Sequence, residues 1–212
     1  EKFDLLAEID YPLDGFSITV TDSNFSLVDT DIIDFAAERG MKSIALDYDL
    51  VNLMNISVEE RVVKLMCLKK YANKHGIDFF GTWDSAFRNL TSRSLLLENH
   101  AFCAAVEGRS LEFNVDGSIK ICNHAATNIG HLNQIDGIFS EKGGLSRIAG
   151  DRFPGTDRYC FSCTIEGSCG GQCHLTREVA GKDLFFDLCN FYRFITDAII
   201  LESLKEVSES EG

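Results

Sequence analysis

Cys160, Cys163, Cys169 and Cys173 place four thiols within a single short stretch, Cys-x2-Cys-x5-Cys-x3-Cys, and these are the side chains of the chain best suited to chemistry. So dense a set of soft donors needs a shared ligand, and thiolates hold zinc or iron–sulfur clusters. Two residues separate Cys160 from Cys163, so one tight turn can aim both sulfurs at one centre, and Cys169 can fold back onto it. Cys173 differs. It follows Gly170-Gly171, which accepts positive φ and a sharp reversal, so its thiolate can point toward a second centre. Cys103, Cys122 and Cys189 raise the candidate ligands to seven, enough for two centres.

The framework that must carry them is a chain of 212 residues, 45% hydrophobic, long enough for one large or two small domains. A formal charge of −13 speaks against a nucleic-acid surface, which wants clustered Lys and Arg. No run of about 18 apolar residues is present to span a membrane, and no secretory signal pattern opens the chain. We therefore expect a soluble, cytoplasmic protein with no nucleic-acid or membrane partner. A large apolar core has no need of disulfide staples, and the close cysteine spacing suits metal better.

The first ninety or so residues alternate strand and helix. Phe3 to Ile9 reads as a strand, Tyr11 to Gly15 as a turn and Phe16 to Thr21 as a second strand. A helix capped by Asp29 or Thr30 and buried through Ile32, Ile33, Phe35 and Ala36 ends at Gly40, and Ser43 to Leu46 is a short buried strand. Ser57-Val-Glu-Glu60 is a capping box opening a helix that reaches Gly76, with Val58, Val62, Leu65 and Met66 inward and Val63 and Cys67 widening that face. Cys67 accordingly reads as a small core residue rather than a ligand. Ile77 to Phe80 closes a strand–helix–strand series that implies a parallel sheet.

From about Leu95 the rhythm changes. Leu111 to Val115 and Ser118 to Cys122 flank Asp116-Gly117, a hairpin signal of the type I′ kind. Ile129 to Arg158 reads as a polar connector with one short helix near Ile135 to Phe139. After Cys189, Phe191, Phe194, Ile195, Ala198 and Leu201 or Glu202 recur at helical spacing, and Ser208 to Gly212 reads as a frayed acidic tail.

In order, the cysteines run Cys103, thirteen residues, Gly117, four residues, Cys122, then Cys-x2-Cys-x5-Cys-x3-Cys and, after fifteen more, Cys189. This arrangement resembles the SPASM domain, the auxiliary iron–sulfur module at the C-terminus of many radical SAM enzymes that modify ribosomally made peptides or enzyme side chains. The likeness covers roughly the last half of the chain. Ile18 to Asn24 resemble, more weakly, the fifth strand of the radical SAM partial barrel and its exit, and Ser43 to Asp49 the sixth. The implied fold is α/β: the last βα units of a partial (β/α)6 TIM-like barrel over residues 1–94, a small irregular cysteine-rich domain with a β-hairpin over 95–190, and a C-terminal helix and acidic tail over 191–212.

The resemblance implies two auxiliary [4Fe–4S] clusters. Cys160, Cys163, Cys169 and Cys189 would bind one completely; Cys103, Cys122 and Cys173 would bind the other, its fourth place open or filled by His100, with His124 as an alternative. The family's C-x3-C-x2-C motif for the SAM-binding cluster does not occur here, which reads as the later part of a longer radical SAM enzyme, or else as a naturally shortened binding module. The whole enzyme would use SAM and a third [4Fe–4S] cluster to form a 5′-deoxyadenosyl radical that takes hydrogen from a precursor peptide, with an electron donor such as flavodoxin or ferredoxin. Asn123 stands where the formylglycine-forming branch has a basic aspartate, so crosslink or thioether formation is the expected outcome. Asp47 and Asp49, at the end of the sixth-strand candidate, either face a barrel cavity or serve as acidic loop residues. Backbone amides near Gly170 and Gly171 are candidate donors to cluster sulfides. The competing reading is a zinc- or cluster-binding peptide-recognition module with no catalysis of its own.

Overall fold

The computed structural model describes residues 13–91, 102–150 and 159–210. The strand expected over Phe3 to Ile9, the fourth-ligand candidate His100 and the residues next to it lie outside these. Three parallel strands come first: β1 (Gly15–Val20), β2 (Ser43–Tyr48) and β3 (Asp78–Phe80), in the order β1-β2-β3. Gly15 pairs with Ser43 and Val20 with Tyr48. Gly15 belongs to the strand rather than to the expected turn, because a Cβ there would stand 2.1 Å from the Ser43 carbonyl oxygen.

The crossovers are α1 (Asp31–Glu38) and α2 (Val58–Lys74). Each stops where glycine takes a left-handed turn, at Gly40 (φ 67°) and Gly76 (φ 68°). Asp29 supports the first turn of α1 by accepting from the Asp31 amide, while Thr30 caps it without a side-chain bond. The capping box at Ser57 and Glu60 forms as expected. The inward face of α2 is as expected at Val58, Val62, Leu65 and Met66, but its widening to Val63 and Cys67 is not. Arg61, Val62, Leu65, Leu68 and Ala72 are buried, whereas Val63 and Cys67 are exposed, because at 100° per residue both fall opposite the Leu65–Leu68 stripe. Cys67 is thus a surface thiol and not a core residue.

After α3 (Ser85–Thr91) comes a small antiparallel sheet, β4 (Glu112–Phe113), β5 (Ser118–Lys120) and β6 (Asn128–His131). Glu112 pairs with Lys120 and Phe113 with Ile119, which leaves a three-residue loop, Val115-Asp116-Gly117. The Gly117 amide bonds the Asn114 carbonyl, and Gly117 alone in the loop has positive φ, 84°. The turn is therefore the type I plus left-handed glycine form, not the expected two-residue I′ form. The presumed connector carries β6, α4 (Ile135–Ile138) and α5 (Gly144–Gly150). Ile119, Ile121, Ile129, Ile138 and Ile148 close a small core there.

Two helices end the chain, α6 (His174–Val179) and α7 (Lys182–Ser210). The last begins seven residues before Cys189, so that thiol rides on a helix, and it continues through Ser210 where a frayed tail was expected. Its inner stripe is Leu184, Leu188, Phe191, Tyr192, Ile195 and Ile199, all buried in the main core with β1–β3 and α2. Phe194 and Leu201 lie outside that stripe and are exposed. Arg61, fully buried, donates twice to Asp187, at 2.6 and 2.7 Å, and lies near the rings of Tyr48 and Phe191. Among the described residues no helix is long and apolar enough to cross a membrane. Arg61→Ala leaves the Asp187 carboxylate without its guanidinium partner, so unfolding free energy should fall, by less than the roughly 3–5 kcal/mol of a fully buried pair because Asp187 keeps some contact with water, read from the denaturant midpoint. Breaking the exposed Lys70–Glu202 pair by Lys70→Ala should move that midpoint little.

Candidate metal centres

The cysteine segment folds as a series of tight turns. The Cys163 amide bonds the Cys160 carbonyl, the Glu166 amide the Cys163 carbonyl and the Cys169 amide the Ile165 carbonyl. Ser162, Gly167, Gly170, Gly171 and Gln172 all have positive φ. Three left-handed residues in succession, 170 to 172, reverse the chain between Cys169 and Cys173, as the glycine pair implied. The reversal delivers Cys173 to the N-cap of α6 and leaves Cys169 behind.

Cys160, Cys163, Cys169 and Cys189 line one cavity of about 270 Å³, together with Gln172, Arg177, Phe185 and Tyr192. Cys173 and Cys103 are not among its lining residues. Burial pushes the Cys189 thiol up to about 12, and repulsion from Cys169, Cys160 and Cys163 adds to it. Cys169 is raised by burial first, while the amides of Gln172 and Gly171 oppose the shift by donating to its sulfur. Those amides are the donors expected near Gly170 and Gly171, and they face a thiol. Cys173 is raised by burial as well, opposed by the Thr176 and Leu175 amides of α6, with Cys103 as its charged neighbour. Cys103 is thus near enough to Cys173 to interact with it, and neither lines the cavity of the other four, although Cys103, Cys163, Cys169 and Cys173 all pack against the main core.

Cys122 packs on the smaller core with Ile119 and Ile121, and its sulfur lies 3.7 Å from the Asn123 amide oxygen. The segment beyond it is tied to α6: Glu178 accepts from the amides of Ala126 and Thr127, both at 2.7 Å, and pairs with His174 at 3.2 Å. Burial alone would raise the Glu178 carboxyl, yet these partners hold it below the usual carboxylate range. His124 is exposed. Among the described residues no three His, Cys, Asp or Glu side chains converge closely enough to hold a single ion.

Further bonds tie α6 to the loop after β2 and the cysteine loop to α3, and order the end of β2. Thr176 Oγ1 donates to the Leu50 carbonyl at 2.7 Å, and Asn89 Nδ2 to the Ser168 carbonyl at 2.7 Å. Asp47, at the C-terminal end of β2, accepts from the Thr82 amide and hydroxyl at 2.6 and 2.7 Å. Asp49 accepts from the amides of Val51 and Asn52 and from the Asn52 side chain, so it staples its own loop. Tyr192, fully buried, has its hydroxyl 3.4 Å from Thr82 Oγ1 and feels the charges of Cys169, Asp47 and Cys173. It joins the sheet end to both thiol groups. Sequence reasoning missed Tyr192, Gln172 and Glu178; the one signal on offer was a non-glycine residue directly after Gly170-Gly171.

No family model matches the chain. The radical SAM cyclopropyl synthase TigE of Paramaledivibacter caminithermalis is 22% identical over 191 residues, 88% of this chain and 40% of that protein. The chain is a distant relative of a radical SAM enzyme. It spans less than half of that relative's length.

The raised thiols also act on stability. A group whose pKa is higher in the fold than in the unfolded chain stabilises the fold below its unfolded value, and that stability is lost as pH rises through the folded one. For Cys189 the window runs from the ordinary 9.0 to about 12. Cluster-free protein should therefore show a denaturant midpoint that falls above pH 9, and the slope should flatten in Cys189→Val. An equal slope in both would contradict the burial of this thiol.

Proposed function

We propose that this chain is the auxiliary-cluster portion of a radical SAM enzyme that modifies a ribosomally made precursor peptide by forming a crosslink or thioether. The observation that carries the reading is the grouping of thiols: four line one cavity, and Cys173 turns away toward Cys103. The distant radical SAM relative supports it independently. In this reading Cys160, Cys163, Cys169 and Cys189 bind one [4Fe–4S] cluster, and Cys103, Cys122 and Cys173 bind a second with one place open or filled by His100. The parallel strands β1 to β3 are the closing units of the partial barrel. SAM and a third cluster belong to the remainder of the enzyme, and a flavodoxin- or ferredoxin-like protein supplies electrons.

The clusters, when bound, supply one-electron acceptors for the peptide reaction or a surface that orients the peptide. The chain's own contribution is positional. The 170–172 reversal keeps the two thiol groups separate, α7 brings Cys189 to the cavity, and the Tyr192–Thr82–Asp47 contacts hold that cavity against the strand ends where a barrel collects its substrate.

Iron and sulfide counting after anaerobic reconstitution tests the reading. About eight irons and eight sulfides per chain are expected, with about four of each left in the Cys160→Ser, Cys163→Ser double variant. Colourless protein that carries zinc would favour the peptide-recognition module instead.

A further inference from the structure

Gln172 occupies a backbone position that glycine would fill with less strain. Its φ of 69° follows those of Gly170 and Gly171, 68° and 74°, and only the third member of this left-handed run carries a side chain. Strained, non-glycine residues of this kind persist where the surroundings hold them for a purpose. The side chain is 2% exposed. Its Nε2 donates to the Phe185 carbonyl at 3.1 Å and to Cys189 Sγ at 2.7 Å. Both amide hydrogens are thereby used, and the Phe185 carbonyl, which can only accept, fixes Nε2 as the end of the amide on this side. Oε1 is left buried without a hydrogen-bond partner among the described residues. The Gln172 main-chain amide meanwhile donates to Cys169. One residue thus contacts two of the four thiols around the cavity, one through its backbone and one through its side chain.

A spacer needs none of this. The turn alone would be served by a third glycine, without an orphaned buried acceptor. We propose that Gln172 is a positioning residue for the centre that Cys160, Cys163, Cys169 and Cys189 hold, fixing Cys189 through Nε2 and raising the reduction potential of that centre. The proposal rests on the reading that these four thiols bind a cluster. Its physical basis is that reduction adds negative charge to a cluster and its thiolates, and an N–H donor aimed at a ligand sulfur favours the more negative state. The Phe185 carbonyl, on the first turn of α7, anchors the amide so that its second hydrogen stays on Cys189.

Two substitutions separate this role from a structural one. Gln172→Gly removes the side chain, relieves the backbone and keeps the amide that faces Cys169; Gln172→Met keeps the bulk without a donor. Wild type and both variants, reconstituted anaerobically with iron and sulfide, would be compared for iron content, thermal midpoint and reduction potential followed by electron paramagnetic resonance. The cavity centre would be assigned in a Cys173→Ser background. The expected result is unchanged iron content, a lower reduction potential in both variants and a thermal midpoint in Gln172→Gly no lower than wild type. Loss of the cavity centre's iron in both variants while the midpoint of Gln172→Gly holds would also support the role, the bond then being required to keep Cys189 in place. Equal potentials at equal iron content would overturn the assignment and leave the clusters standing, whereas wild-type protein that takes up no iron would overturn both.

Discussion

The docking of α7 onto α2 and the parallel sheet is the constraint on which the rest depends. A helix of 29 residues places Cys189 a fixed distance along a rod, so the thiol reaches the cavity only if the rod is seated in the right register. The stripe from Leu184 to Ile199 supplies the burial, which is non-directional and would tolerate sliding. Direction comes from the buried Arg61, whose Nη2 donates to both carboxylate oxygens of the half-buried Asp187, two residues before Cys189. That pair sets which turn of α7 faces α2, and the chemistry at Cys189 inherits its accuracy.

From there the two thiol groups follow as a matter of chain geometry. Cys160, Cys163 and Cys169 are local to one another, and Cys189 is added by the helix. Cys173 is carried off by three left-handed residues and set at the head of α6, where free amides face its sulfur. Each removal of thiol surface from water favours the neutral form, and crowding of like groups adds to it. In the proposed reading, binding of iron would displace those protons, coupling assembly to proton release as well as to the folding of this loop.

What could be read from the sequence was local. The capping box at Ser57, the glycine stops at positions 40 and 76, the strand–helix–strand series and the positive-φ reversal at Gly170-Gly171 are all properties of a few adjacent residues. The parallel pairing followed because such a series has few ways to close. What could not be read involves partners far apart in the chain. Arg61 meets Asp187 across 126 residues, and nothing near either one announces it. Val63 and Cys67 were placed inward because they are apolar, but the sheet and α7 press on the opposite side of α2, and the fold overrides residue type. The hairpin was recognised while its turn was not, since Asp-Gly suits both loop forms and only the Glu112–Lys120 register tells them apart. Strand β6 was hidden in a polar stretch because its one deeply buried residue, Ile129, gives no alternation to detect.

The central claim is that these thiols form two separate sites and that α7 completes the first. Diffraction from anaerobically grown crystals at the iron absorption edge tests it most directly. The account predicts two anomalous peaks, one enclosed by Cys160, Cys163, Cys169 and Cys189 and the other beside Cys173 and Cys103. A single peak that Cys173 shares with Cys160 and Cys163 would contradict it.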